Sequence, residues 1–202
     1  MCKLFSINTI LVLFVFEFGY AAIKIDNDHP SYFTVFYDAD DSKSISWLQN
    51  EFKAHYKLFE EVITFSFLPC YNAQLSSDGK AITCPDPDKT CYNNKLHACA
   101  SDYFKEGFKL NDFLVCISEK EKKLDQCVGG DQKLLKTLDD CAKGPKGFEL
   151  CLNYTSNLLP FNTLPSFLGD GFYKPPLDLS DMLCKQSILH YLKVPPSCSK
   201  LH

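Results

Sequence analysis

Cys84-Pro85-Asp86-Pro87-Asp88-Lys89-Thr90-Cys91-Tyr92-Asn93-Asn94-Lys95-Leu96-His97-Ala98-Cys99 places three cysteines within sixteen residues. The two prolines impose a turn between the first two cysteines, because each fixes its own φ and biases its predecessor away from helix. Asn93 to Ala98 then reads as a short helical run ending at Cys99. A cluster this dense is either a disulfide knot or a metal site. Zinc ligands come in cysteine pairs separated by about two to four residues. The spacings here are longer, which favours the knot.

The rest of the chain bears on that choice. It has 202 residues, enough for one domain with a core, or for a domain carrying a sizeable insertion. Hydrophobic content of 46% and aromatic content of 14% describe a packed chain. The net charge is −4, and all 21 basic residues are lysine. Arginine carries most bidentate recognition of phosphates and base edges, so its absence from an acidic chain argues against a nucleic-acid partner. Eleven cysteines without a metal motif point to an oxidising compartment.

Residues 1–21 read as a signal peptide. Lys3 supplies the positive end, Ile10 to Phe16 the apolar run, and Gly19 and Ala21 the small residues before a cut. Cleavage removes Cys2 and leaves ten cysteines, an even number suited to a disulfide framework. Residues 22–202 are expected to form a single secreted domain with no membrane span.

Ser31 to Tyr37 is aromatic and β-branched, the pattern of a strand. An acidic loop follows, then a helical face of Trp47, Leu48, Phe52, His55, Leu58 and Phe59. Ser42 or Ser44 is the expected cap, with Asp40 and Asp41 favouring the positive helix end. A calcium site at Asp38, Asp40 and Asp41 would want more oxygen ligands and a turn glycine; the expectation is a capped helix start in solvent. Glu61 to Leu68 reads as a second strand parallel to the first. Lys80 to Thr83 reads as a short strand. Helices are expected over 92–105, 110–127, 131–142 and 146–156, with the charged run Glu119 to Lys123 as a solvated helix face. Asn153-Tyr154-Thr155 is a glycosylation sequon. Gly169 to Gly171 suggests a hairpin, and Leu179 to Leu192 a last amphipathic helix.

The spacing C-x6-C-x2-N-x4-C, carried by Cys84, Cys91, Asn94 and Cys99, resembles the signature of the gamma-interferon-inducible lysosomal thiol reductase (GILT) family. Pro69…Asn72-Ala73-Gln74 extends the likeness, which runs from about Phe33 to Cys198. Pro85-Asp86-Pro87 and Thr90 stand where the family has Gln-His-Gly and glutamate. The resemblance implies an α/β (α+β) fold: a thioredoxin-like sheet core with a disulfide-stapled helical insertion at about 84–157. It implies a cis peptide at Pro165, facing the active turn. It also places the family's redox pair at Asp41 and Ser44, at the start of the first helix.

Neither residue is a thiol. A helix N-terminus serves thiol chemistry by lowering the attacking cysteine's pKa; here it only favours the Asp41 carboxylate. The expected function is therefore that of a secreted, catalytically inactive family member that binds an extracellular protein or cell-surface ligand. It has no cofactor and no metal. The alternative is an atypical thiol–disulfide oxidoreductase with a non-standard pair, for which Cys84 and Cys91 are the nearest choice. The family has a terminal pair similar to Cys184 and Cys198. Cys99, Cys116, Cys127 and Cys141 recur among the insertion helices. Alignment leaves Cys70 and Cys151 unmatched, and these two are expected to bond to each other and tie the insertion to the core.

Overall fold

The computed structural model describes residues 31–77, 82–84, 91–105, 107–156, 163–169, 172–173, 178–189, 194, 196 and 198. The expected signal peptide lies outside them.

Strand β1 (Ser31–Phe36) is central in a sheet of order β2-β1-β5-β6. Strand β2 (Ile63–Leu68) lies parallel to it in a register that sets Ser31 against Ile63. Strand β5 (Ser166–Leu168) runs antiparallel on the other side and pairs with β6 (Phe172–Tyr173). A small hairpin of β3 (Gln74–Leu75) and β4 (Ile82–Thr83) stands apart. A parallel β-helix-β unit joined to an antiparallel hairpin makes the fold α+β, with the core expected of a thioredoxin-like chain.

Between β1 and β2 runs one helical rod made of α1 (Ser42–Trp47), a π-helical turn (Leu48–Phe52) and α2 (Lys53–Phe59). Its buried residues are Ser44, Leu48, Phe52, Tyr56 and Phe59. Three successive four-residue steps on an α-helix drift about 40° each. The wide turn, closed by Lys53 N–H on the Leu48 carbonyl, absorbs that drift and keeps the stripe against the sheet. The expected face is corrected accordingly: Leu58 is 50% exposed, and His55 hydrogen-bonds to the Glu51 carbonyl one turn back on the exposed side of the rod. Phe52 packs edge-on against Phe65 at 5.0 Å and Phe67 at 5.1 Å, with Trp47 lying 5.0 Å from Phe167. These ring contacts fix the rod, and with it the position of its first turn.

Every described element between β4 and β5 is helical: α3 (Tyr92–Phe104), α4 (Phe108–Ile117), α5 (Leu124–Cys127), α6 (Gln132–Lys143) and α7 (Pro145–Ser156). Helix α3 matches the helix expected over 92–105 and so runs on past Cys99, where the shorter run read from the cysteine cluster stops. The helix expected over 110–127 is two helices, and Glu119 to Lys123 is an exposed turn between them rather than a helix face. Helix α3 packs against α6 and α7. The approach is close at Gly147, where an added Cβ would lie 2.6 Å from the Cys141 carbonyl oxygen and 3.2 Å from Lys95 Cβ.

Five disulfides staple this arrangement. Cys99–Cys141 joins α3 to α6, Cys116–Cys127 closes the α4–α5 turn, and Cys84–Cys91 closes the loop before α3. Cys184, in α8 (Leu179–Leu189), bonds to Cys198. Cys70, just past β2, bonds to Cys151 of α7 with Cα atoms 5.5 Å apart. The insertion is thus tied to the sheet by the two cysteines that the family signature leaves unmatched.

Candidate functional site

The turn from β1 into α1 holds the positions of interest. Asp41, in extended conformation, is the N-cap of α1. Its Oδ2 accepts from the Ser44 backbone N–H at 2.8 Å and from the Ser44 hydroxyl at 2.9 Å. The expected serine cap is therefore corrected. Aspartate and serine cap about equally well, but Ser42 is exposed, and Ser44 lies inside the first turn and is fully buried. The two positions that would carry a redox pair are joined by hydrogen bonds instead of a sulfur–sulfur bond.

The acidic loop is not in solvent, as had been expected. Asp38 is only 1% exposed. Its Oδ1 accepts from the Asp40 N–H and from Asn94 Nδ2, both at 2.8 Å, and its Oδ2 accepts from the Asn72 N–H at 3.2 Å. A buried carboxylate persists only with such partners. Asn94, fully buried in the first turn of α3, serves the loop from both ends of its amide. Its Oδ1 accepts from the N–H of Ala39 at 2.7 Å and of Cys70 at 3.1 Å. Its Nδ2 donates to Asp38 and, at 3.2 Å, to Asp40, and lies 3.6 Å from Cys84 Sγ. Asn93 Nδ2 donates to Asp40 Oδ1 at 2.8 Å. One side chain of the cysteine signature thus holds the site turn, the end of β2 and a disulfide together.

Behind the turn, Tyr37 hydroxyl and His97 Nδ1 are 2.9 Å apart, and both residues are buried. Burial pushes the His97 imidazole down to about 3 and raises the Tyr37 phenol, so the pair is neutral at physiological pH. Spacing alone gave no sign of this histidine's role, because its partner is sixty residues away.

The Leu164–Pro165 peptide bond is cis. Leu164 and Pro165 face Ser42, Lys43, Ser46, Trp47, Asn50 and Glu51 across an open groove of about 510 Å³. The groove runs along the first turns of the rod, with one basic and one acidic side chain in its wall. Asn153 is exposed on α7. Among the described residues no cluster of histidine, cysteine or carboxylate side chains could hold a metal ion, and no helix is long and apolar enough to cross a membrane.

Comparison with known proteins supports this picture. The family model described as gamma interferon inducible lysosomal thiol reductase (GILT) matches residues 32–143, more than half of the chain. The match takes in the site turn and the insertion as far as α6, a shorter stretch than the Phe33–Cys198 likeness read from the motifs. The gamma-interferon-responsive lysosomal thiol protein of Arabidopsis thaliana is 29% identical over 102 residues, 49% of this chain and 43% of that protein. The matched stretch thus spans less than half of that relative's length. With the signature cysteines, Asn94 and the site turn all within the matched stretch, the chain belongs to the gamma interferon inducible lysosomal thiol reductase family.

Proposed function

We propose that this chain is a secreted family member that does not reduce disulfides and acts by binding a protein or cell-surface partner. The observation that carries the reading is the bonded Asp41–Ser44 pair at the head of α1. A thiol reductase needs a thiolate there to attack substrate sulfur and a second thiol to release the product. Aspartate and a neutral serine supply neither. All ten cysteines from Cys70 to Cys198 are bonded in pairs, which also fits folding in an oxidising compartment. The groove between α1 and Pro165 survives the loss of the thiols. Its open course along the first turns of the rod suits an extended polypeptide segment better than a compact small molecule.

A dithiothreitol-coupled insulin reduction assay at acid and neutral pH tests the loss of activity. The expected rate equals that of a heat-killed control. Turnover that disappears on alkylation overturns the reading. Asp41→Cys with Ser44→Cys is expected to create partial activity, since the helix start and Pro165 are in place. For the binding half, a photo-crosslinking residue at exposed Ser46 is expected to trap a partner that the same residue at Lys133, on α6, does not. Equal labelling from both positions counts against the groove.

A further inference from the structure

We infer that the groove beside Pro165 selects an extended peptide segment with one acidic and one basic side chain about four residues apart, the acid meeting Lys43 and the base meeting Glu51. The selection rests on the groove reading proposed above and adds the chemistry of its occupant.

Lys43, Trp47 and Glu51 stand at four-residue steps along the rod, in the groove wall opposite Leu164 and Pro165. They form the row next to the buried Ser44, Leu48 and Phe52. The π-helical turn that keeps the buried row in line spans the step from Trp47 to Glu51, so it keeps this row in line as well. One charge therefore stands at each end of the wall, with the half-buried indole between them. Both charged side chains are exposed, and among the described residues neither has an ion pair or a side-chain hydrogen bond. Lys53, the next charge along the rod, is by contrast paired with Glu119 at 2.7 Å.

The spacing sets the pattern of the occupant. Eight residues at a rise of about 1.5 Å separate Lys43 from Glu51 by about 12 Å along the axis. An extended chain covers that distance in about four residues at about 3.3 Å each. Its side chains alternate, so those at the first, third and fifth positions share one face. The outer two meet Lys43 and Glu51, and the middle one meets Trp47, where an apolar or aromatic group packs best. A segment with two charges of one sign meets repulsion at one end of the wall. A polyanion is disfavoured at Glu51 for the same reason.

The test selects random phage-displayed peptides of about ten residues on the mature secreted protein, at low ionic strength, where exposed charges are least screened. The wild type is expected to enrich an acid and a base about four residues apart. Lys43→Glu is expected to enrich two bases at that spacing, and Glu51→Lys two acids. Lys133→Glu on α6 and Glu149→Lys on α7 make the same changes in net charge at exposed positions outside the groove wall. Both are expected to select as the wild type does. Trp47, the chain's one tryptophan, reports from inside the groove. Tryptophan-free synthetic copies of the wild-type peptides are expected to shift its emission and to bind either groove variant about tenfold more weakly. Peptides that shift Trp47 emission but carry the same charge pattern on all five proteins overturn the inference and leave the groove reading standing. Peptides that bind without changing Trp47 emission, or no enrichment above an unrelated control protein, overturn both.

Discussion

Acid should destabilise this fold through His97. The buried imidazole is held down to about 3, whereas an unfolded histidine titrates at 6.5. Between those values the unfolded chain binds a proton that the folded chain refuses. Stability therefore rises with pH across this window and falls as the solution is acidified. At pH 4.5 the unfolded chain gains about RT ln(1 + 10²), or about 3 kcal/mol. Below about pH 3 the loss levels off near 5 kcal/mol. His97→Gln keeps a hydrogen-bonding partner for Tyr37 and cannot titrate. Trp47 is the chain's one tryptophan, packed on Phe167, and serves as the fluorescence probe. Urea unfolding at pH 7 and 4.5 should show the wild type losing about 3 kcal/mol more than the variant over that interval. The Asp139 and Glu119 carboxyls, both lowered first by hydrogen bonds from Lys143 and Lys53, titrate alike in the two proteins and cancel. Parallel losses in wild type and variant would refute the assignment of His97 as a buried neutral group.

Asn94→Ala should cost about 3 kcal/mol or more, because it removes a hydrogen bond from the buried Asp38 carboxylate and takes the shared acceptor from the Ala39 and Cys70 N–H groups; chemical denaturation measures it. Gly147→Ala should cost about 1–3 kcal/mol, since its methyl would meet backbone rather than a yielding side chain; the thermal midpoint reads it. Replacing Cys70 and Cys151 together by serine opens a link between residues 81 apart in sequence, which the chain-entropy model values at about 4 kcal/mol. Glycosidase treatment of the secreted protein should remove mass at Asn153, and amino-terminal sequencing should begin near Ala22.

The parts of this fold that depend on local pattern were legible. Ser31 to Phe36 and Ile63 to Leu68 form strands because their aromatic and β-branched side chains suit a pleated core. The phase of the first helix was not legible, because a single π turn moves Tyr56 inward and Leu58 outward without changing the apolar count. The break in the helix expected over 110–127 falls in a lysine-glutamate run with good helix propensity, and only the short Cys116–Cys127 closure forces a turn there. The replaced pair at Asp41 and Ser44 could be placed by resemblance, but the burial of Asp38 could not. Its partners Asn72 and Asn94 are 34 and 56 residues away, and nothing in the acidic loop announces them.

The turn between α4 and α5 exposes Lys120, Lys122 and Lys123 inside the ring closed by Cys116 and Cys127. That ring lies within the one closed by Cys99 and Cys141, which lies within the one closed by Cys70 and Cys151. A trypsin-like protease that cuts after any of these lysines severs the backbone without separating the pieces. The nicked molecule keeps one mass under non-reducing conditions, heavier only by the water of hydrolysis, and splits in two on full reduction. In a fluid rich in proteases, such a protein persists as two peptides covalently joined into one particle.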